Sequence, residues 1–199
     1  MTEILIIRHG ENDFMAKRLP GRLPDVHLNA KGIIQSYKIA HFLSDLPIKA
    51  LYCSPMERTI ETIEPFAKLK GMEIRVAPEL NEIDYGIWQG KRYETLMTKK
   101  LWRQIRKAPS EVTLPEGESF LDAQQRVVSF FDGLSETHTK NELVVCVTHA
   151  DVIRLAVAHY LGMCPDHFQR LSIGVATMTK LFLHKGKAGF GPIGQPITY

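Results

Sequence analysis

The sequence contains few cysteines. Only three occur among its 199 residues, and none forms a C-x-x-C pair. Cys53 and Cys146 fall in apolar, strand-like runs and Cys164 falls in a turn, so we expect reduced thiols in a reducing compartment. The N-terminus also lacks the basic segment, long apolar stretch and small-residue cleavage site of a secretory signal, which predicts a cytoplasmic protein.

The sequence also has little excess charge of either sign. Its formal net charge is +3, and 44% of its residues are hydrophobic and 24% charged, as in an ordinary globular protein. This composition excludes a membrane or collagen class. An excess of +3 is too small to make nucleic acid the expected partner, although it suits a small anionic substrate if it is concentrated in one cleft.

What is present is an alternation of short apolar runs with amphipathic helical segments. Strands are predicted over 3–7, 50–53, 73–76 and 143–147, with one bent strand or a pair of strands over 172–183. Helices are predicted from Asn29 to about Leu46 and over 96–107, 119–138 and 150–161. A further helix is predicted up to Gly71, with Ser54 as its N-cap and Pro55 at its first position. Because alternating strands and helices need crossover connections, this order predicts an α/β fold, a three-layer α/β/α sandwich with a mostly parallel central sheet.

No repeat or internal linker interrupts this alternation. We therefore expect a single catalytic domain over 1–184. The segment 185–199 is rich in glycine and proline, which predicts an irregular C-terminal extension. Such an extension is compatible with packing on a neighbouring subunit, and a homodimer is one open possibility.

Polar residues follow four of the predicted strands, at the point where each strand ends. Arg8 and His9 follow the first strand, Arg58 lies in the helix after the second, Glu82 follows the third and His149 follows the fourth. A parallel sheet brings such residues together at one edge, where open α/β sheets bind ligands. Two histidines, two arginines and one carboxylate suit the transfer of a phosphoryl group through a phosphohistidine.

Each of these residues also has an ordinary structural explanation. A histidine at a strand end is more often a hydrogen-bonded structural residue than a catalyst, and His149 also fits the N-terminus of a helix. Arg58 fits an exposed helical cation, and Glu82 alone carries no functional signal. His9 is different, because Arg-His-Gly-Glu directly after a buried strand places polar residues where packing needs none.

A metal site built from the two histidines and a carboxylate is the other chemical alternative. The sequence has neither an H-x-x-x-H nor an H-x-H spacing to accompany them, and it has no Asp-rich cluster. We therefore predict no metal ion and no cofactor.

Six motifs occur in order along the chain: IIRHGEN, GRLPDVHLNAKG, YCSPMERTIETIEP, LNEIDYGIWQG, LPEGESFLDAQQRV and VCVTHADVIRLAVAHYLG. Together they resemble the histidine phosphatase superfamily, in its phosphoglycerate-mutase-like branch, whose signature is Arg-His-Gly after the first strand. The resemblance extends to about Leu183. It implies a mixed α/β sheet flanked by helices, with an antiparallel strand among the edge strands.

The resemblance also implies roles for the five residues at the strand ends. His9 would be the nucleophile and become phosphorylated, while Arg8, Arg58 and His149 would bind the phosphoryl oxygens. Glu82 would protonate the leaving oxygen and then take a proton from the attacking water. These roles require a neutral His9 with its second ring nitrogen donating to a carbonyl, a Glu82 whose pKa is raised, and a protonated His149.

Four further residues are candidates for substrate binding: Asn12, Gly21, Arg22 and Ala150. Gly21-Arg22 resembles the substrate loop of the family, although a solvated loop arginine fits nearly as well. Asn12 is placed to reach a phosphate oxygen or to cap a turn. Ala150 would offer its backbone amide where much of the family has glycine, and its methyl group would narrow the pocket.

These residues predict a metal-independent phosphatase that hydrolyses small phosphomonoesters and releases inorganic phosphate. A phosphomutase that uses the same phosphohistidine is the alternative, and a non-catalytic phosphate-binding regulatory module is a third. Cofactor-dependent phosphoglycerate mutases usually have a Trp-Asn pair where this chain has Phe14-Met15. Because Met15 cannot supply an amide hydrogen bond, the phosphatase is favoured. The sequence does not identify the substrate.

Overall fold

The computed structural model describes residues 1–138, 141–185 and 187–197. In these ranges one sheet has seven strands: β1 Thr2–Arg8, β2 Ile48–Cys53, β3 Ile74–Val76, β4 Leu143–Thr148, β5 Thr177–His184, β6 Lys187–Phe190 and β7 Gln195–Pro196. The α-helices of the same ranges are α1 Ala30–Leu43, α2 Glu57–Lys70, α3 Tyr93–Met97, α4 Lys100–Lys107, α5 Phe120–Thr137 and α6 Ala150–Tyr160.

The strands are ordered β3-β2-β4-β1-β5-β6, and β7 also pairs with β5. Strands β1 to β4 run parallel to one another, whereas β5 is antiparallel to β1, and β6 and β7 are antiparallel to β5. The predicted α/β fold with a mainly parallel sheet is confirmed. The antiparallel strand implied by the family resemblance is also present.

Helices cover both faces of the sheet, and the side chains of β1 show why. Ile4 and Ile6 belong to a core with α5 and α6, whereas Leu5 and Ile7 belong to a second core with α1 and α2. All four are at most 3% exposed. A strand buried on both faces needs a continuous apolar run, and each such side chain contributes about 1.5–3 kcal/mol by burial.

One helix boundary and one strand boundary differ from prediction. Helix α1 begins as expected, with the side chain of Asn29 accepting from the amide of Gly32, but it ends at Leu43 instead of near Leu46. Pro47 disfavours helical backbone in the residue before it, which explains the earlier end. Strand β5 is a single strand that begins only at Thr177, after Ala176 with a φ of 51°.

The predicted helix over 96–107 is wrong as one element, because α3 and α4 are separated at Thr98 and Lys99. Leu96 and Ile105 are nine positions apart, so a continuous helix would place them about 180° apart on opposite faces. The break lets both side chains enter one apolar cluster, where they are 0% and 4% exposed. Tertiary packing therefore overrides the helical pattern of this segment.

The segment 185–199 is less irregular than predicted, because it contributes strands β6 and β7 to the sheet. Gly191 and Gly194 lie in the turn between β6 and β7. In the described ranges, no helix combines the length and the apolar character needed to cross a membrane.

Candidate active site

The site begins where β1 and β4 end side by side. Arg8 is the register partner of Thr148 in this parallel pair, and the amide of His9 donates to the carbonyl of Thr148 over 3.1 Å. His9 and His149 are therefore forced to be neighbours, with ring centroids 5.3 Å apart in an edge-on arrangement. Two residues that are 140 positions apart in the sequence thus share one sheet edge.

The ring of His9 is held in one tautomer. Its Nδ1 lies 2.7 Å from the carbonyl oxygen of Gly10, and because a carbonyl only accepts, Nδ1 carries the hydrogen. The Nε2 lone pair is therefore free. Burial, followed by the charges of Arg58 and Arg8, holds the pKa of His9 well below its usual 6.5, so the ring is neutral near neutral pH.

Helices α1 and α2 fix the turn that follows His9. The amide of Gly10 donates to Thr62 on α2, and the amide of Glu11 donates to Gln35 on α1. Gly32 on α1 packs directly against this turn, where an added Cβ would lie 2.1 Å from the carbonyl oxygen of Glu11. Only glycine allows the helix to approach so closely.

Two arginines flank the His9 ring, and both are anchored through part of the guanidinium. Nη1 of Arg8 donates to the carbonyl of Ile173 over 2.8 Å, and Nη2 lies 3.3 Å from Sδ of Met15. Nη2 of Arg58 donates to the carbonyl of Gly21 over 2.8 Å. Arg58 is fully buried, which excludes the exposed helical cation that its sequence context allowed.

His149 is oriented by Arg58 and Ser54. Nη2 of Arg58 donates to Nδ1 of His149 over 3.2 Å, so Nε2 carries the ring hydrogen and donates to Oγ of Ser54 over 2.8 Å. Burial and the charge of Arg58 hold the pKa of His149 well below 6.5. The protonated His149 expected from the sequence is therefore absent from the resting site, where the ring is neutral.

The role of Ser54 corrects the prediction that it caps α2. Helix α2 begins at Glu57, with Met56 at the capping position. Ser54 instead accepts from His149, and its carbonyl accepts from the hydroxyl of Thr59 over 2.9 Å. Ser54 follows β2 directly, so the rule that strand ends meet at one edge would have placed it at the site.

Glu82 lies against His149 with a raised pKa. Its Oε2 is 3.8 Å from Nδ1 of His149, and its Oε1 accepts from the amide of Ile83. Burial and the charge of Asp151 raise the pKa of Glu82 to about 7, against the opposing effect of Arg58. At neutral pH the carboxyl group is thus close to half protonated, which suits a group that both gives and takes a proton.

Four buried nitrogen donors around His9 have no hydrogen-bond acceptor in the described part of the chain. They are Nε of Arg8, Nδ2 of Asn12, and Nε and Nη1 of Arg58. Unpaired buried donors are costly, and here three of the four belong to guanidinium groups. Their clustering marks a place where an anion with several acceptor oxygens would satisfy them together.

A cavity of about 160 Å³ opens at Arg8 and Asn12, two of the three residues that carry these donors, whereas Arg58 is not part of its lining. Arg8, His9 and Glu82 line it, together with Asn12, Met15, Arg18, Gly21, Tyr85, Tyr93, Ala150, Asp151 and Arg154 among others. Asn12 caps a turn, since its Oδ1 accepts from the amide of Phe14, and its Nδ2 has no acceptor among the described residues. Ala150 begins α6, whose first amides have no partner within the helix.

Arg22 does not share this cavity. Its Nε donates to the backbone carbonyl of Glu82, and its Nη2 donates to Glu118. The structure thus brings three of the four candidate binding residues, Asn12, Gly21 and Ala150, to the cavity and leaves the fourth behind Glu82.

Sequence reasoning did not assign Asp151 to the site. Asp151 lines the cavity and accepts from the hydroxyl of Tyr85 and from Nη1 of Arg154. Asp151 and Arg154 also line a second cavity of about 290 Å³, which continues toward Trp102 and Arg106. This adjoining space is available to the part of a ligand that extends away from His9.

Within the described ranges, no group of three or more His, Cys, Asp and Glu side chains is arranged to hold a metal ion. Arg8 and Arg58 lie near His9, and the unpaired donors of Arg8, Asn12 and Arg58 suit an anion.

Comparison with known proteins identifies the family. Residues 4–190 match the family model of the histidine phosphatase superfamily, branch 1. Phosphoserine phosphatase 1 of Hydrogenobacter thermophilus is 29% identical over 165 residues, which cover 82% of this chain and 78% of that protein. Adenosylcobalamin/alpha-ribazole phosphatase of Escherichia coli is 30% identical over 79% of this chain and 78% of that protein. The solved structure of Bacillus stearothermophilus YhfR has a TM-score of 0.90 at 24% identity, with 98% of each chain covered.

Proposed function

The chain belongs to the histidine phosphatase superfamily, and we propose that it hydrolyses small phosphomonoesters without a metal ion, through a phosphohistidine at His9. Glu82 is the general acid and base of this proposal. Arg8, Arg58 and His149 bind the phosphoryl group. Asn12, Gly21 and Ala150 contact the substrate as it enters.

The observation that carries this proposal is the set of unpaired donors beside the free Nε2 of His9. A phosphoryl group has three peripheral oxygens, each able to accept from more than one donor. Nε of Arg8, Nδ2 of Asn12, and Nε and Nη1 of Arg58 would all gain acceptors from it. Charge-assisted bonds to preorganised guanidinium groups stabilise the charge that spreads over these oxygens in the transition state.

In the first step, Nε2 of His9 attacks phosphorus while the bond between phosphorus and the ester oxygen breaks. Glu82 gives its proton to the leaving oxygen, so an alcohol departs and Glu82 becomes a carboxylate. The carbonyl of Gly10 holds the Nδ1 hydrogen of His9 throughout, 2.7 Å away, and stabilises the positive charge that develops on the ring.

In the second step, water attacks the phosphoryl group on His9. The Glu82 carboxylate takes a proton from this water, and the bond between Nε2 and phosphorus breaks. Inorganic phosphate leaves, while His9 returns to the neutral state and Glu82 to the protonated state. A pKa of about 7 lets Glu82 serve in both directions.

Substrate binding would also change the state of His149. A dianionic phosphoryl group favours the charged form of a neighbouring imidazole and opposes the burial and the Arg58 charge that now hold it neutral. The protonated His149 expected from the sequence therefore belongs to the substrate complex in this proposal, not to the free enzyme.

The relatives support a small phosphomonoester and differ in its organic part. One is named for phosphoserine and the other for adenosylcobalamin and alpha-ribazole. The cavity at His9 fits a phosphoryl group, and the adjoining cavity provides room for the leaving alcohol. A phosphomutase uses the same first step but must keep water away, and Met15, which lies against Arg8, offers the intermediate no amide donor.

The remaining parts of the proposal concern the whole chain. We assign catalysis to one domain over 1–184, with 185–199 as an extension that adds strands to its sheet. The three cysteines are free thiols, in agreement with a reducing, cytoplasmic location.

The test is phosphate release from 4-nitrophenyl phosphate and a panel of natural phosphomonoesters, with a chelator present. We expect the wild-type chain to release phosphate and His9→Ala to release none, whereas His184→Ala, an exposed histidine on β5, retains full activity. Transfer of the phosphoryl group within the substrate, without release of phosphate, would favour the mutase. Tight phosphate binding without turnover of any ester would favour the regulatory module and overturn the hydrolase.

A further inference from the structure

The segment that carries Glu82 has no regular backbone pairing of its own. Residues 81–85 form neither helix nor strand, so their backbone groups need partners from elsewhere. The amide of Asp84 donates to Oε1 of Glu118, and the carbonyl of Asp84 accepts from the amide of Glu118 over 3.0 Å. Glu118 therefore holds this segment through its side chain and its backbone.

The backbone carbonyl oxygen of Glu82 accepts hydrogen bonds from two arginines. Nε of Arg22 donates to it over 2.8 Å, and Nη2 of Arg126 donates to it over 3.2 Å. Arg126 also donates from Nη1 to the carbonyl of Glu79. Two cations thus converge on the backbone of the residue that carries the proposed general acid.

Glu118 joins the two arginines. Its Oε1 accepts from Nη2 of Arg22 over 2.9 Å and from Nη2 of Arg126 over 2.7 Å, while its Oε2 accepts from Nε of Arg126 over 3.1 Å. The side chains of Glu118 and Arg126 are only 16% and 19% exposed. A partly buried carboxylate with three side-chain bonds to two guanidinium groups is rigid, since the planar forks fix its orientation.

We propose that Arg22, Glu118 and Arg126, which we name the Glu118 clamp, position Glu82 for proton transfer. This inference rests on the proposed function. The clamp residues are positioning residues, because the two arginines contact the backbone carbonyl of Glu82, Glu118 holds both arginines, and none of the three lines the cavity at His9. The Glu118 clamp also gives a role to Arg22 and to the LPEGES motif, which are not among the proposed substrate contacts.

The clamp predicts a dependence on the leaving group. A poor leaving group, such as an alkyl alcohol, needs a proton in the first step, whereas 4-nitrophenolate leaves without one. We expect Glu118→Gln to lower kcat/KM for an alkyl phosphate by about tenfold to a hundredfold, since a general acid displaced by about 1 Å loses much of its effect. For 4-nitrophenyl phosphate kcat/KM should change little.

The matched control is Glu136→Gln, an exposed residue on α5 with the same change of charge. A double-mutant cycle separates positioning from a general effect. If the clamp acts through Glu82, adding Glu118→Gln to Glu82→Gln should cost little further activity with the alkyl phosphate. Arg22→Lys, which keeps the charge but loses the fork that bridges Glu118 and the Glu82 carbonyl, is the second variant and should show the same selective loss.

Two results would overturn the clamp. One is an equal loss of kcat/KM for both esters in every folded clamp variant, and the other is full additivity with Glu82→Gln. If Glu118→Gln does not fold, Arg22→Lys decides by the same comparison. Inactivity of the wild-type chain toward both esters would instead contradict the proposed phosphatase, so the two failures are distinguishable.

Discussion

Arg58 donates to the imidazole of His149 instead of pairing with a carboxylate. Nη2 of Arg58 donates to Nδ1 of His149 over 3.2 Å, and Nε2 of His149 donates to Oγ of Ser54. Arg58 is fully buried and keeps two further nitrogen donors unpaired. The positive charge of the site is therefore carried by its arginines, and both histidines are neutral.

Replacement of Arg58 tests this division of charge. We expect Arg58→Met and Arg58→Lys each to weaken competitive inhibition by inorganic phosphate about tenfold to a hundredfold, because one charge-assisted hydrogen bond contributes about 1.5–3 kcal/mol. Inhibition constants measured against 4-nitrophenyl phosphate check this. Arg103→Met, an exposed arginine on α4, is the control. Equal inhibition of wild type and Arg58→Lys would show that the fork geometry is unimportant.

Ser54 tests the orientation of His149. In Ser54→Ala the buried Nε2 hydrogen of His149 loses its acceptor, which should destabilise the fold by about 1–3 kcal/mol and lower kcat with little change in KM. Urea denaturation and steady-state kinetics measure the two effects. Ser129→Ala, at an exposed position of α5, should change neither. Unchanged kinetics in Ser54→Ala would mean that the hydrogen bond does not position His149.

The pH dependence of kcat/KM for an alkyl phosphate, whose leaving alcohol needs a proton, should show the protonation of Glu82. The acid must be protonated and His9 neutral, so kcat/KM is expected to fall as pH rises through about 7, where Glu82 loses its proton. The fall at low pH should lie well below 6.5, because the pKa of His9 is lowered. The substrate ionises in the same way in assays of wild type and of Glu82→Gln. Because Glu82→Gln has no carboxyl group at this position, its pH profile should lack the fall near pH 7. An identical fall in both proteins would assign it elsewhere.

Gly32 tests the packing beneath the nucleophile. An alanine Cβ at this position would lie 2.1 Å from the carbonyl oxygen of Glu11, two residues after His9. We expect Gly32→Ala to destabilise the fold by about 1–3 kcal/mol or more, as for other overpacked sites, and to lower activity. Gly133→Ala in α5 has nothing within 4 Å and should stabilise by about 0.4–1 kcal/mol. Thermal unfolding compares the two variants.

The sequence was sufficient to bring Arg8, His9, Arg58, Glu82 and His149 together, because each follows or adjoins the end of a strand. It was not sufficient where a second local pattern competes, or where the partner comes from a distant loop. Ser54 follows a strand end, but its sequence also fits a helix cap, so its hydrogen bond with His149 was not predicted. Arg22 and Glu118 are 96 positions apart, and nothing in either segment indicates that they meet.

The break between α3 and α4 illustrates a second limit. The residues of 96–107 favour a helix, but local propensity does not include the apolar cluster that takes both Leu96 and Ile105. A break at Thr98 and Lys99 lets both side chains pack in that cluster. The strand-end prediction for His9 and His149 was correct because the register of β1 and β4 places these two residues side by side. Helix ends depend instead on packing against residues that are distant in the sequence.

The most direct test of the account is to trap the phosphorylated enzyme. Glu82→Gln should accept a phosphoryl group from 4-nitrophenyl phosphate but hydrolyse it slowly, because the water loses its base. After rapid quenching at alkaline pH, mass spectrometry should find one phosphoryl group on the peptide that contains His9, in wild type at low and in Glu82→Gln at high occupancy, and none in His9→Ala. Turnover without any label on His9 in either protein, or a label on another residue, would contradict the phosphohistidine mechanism.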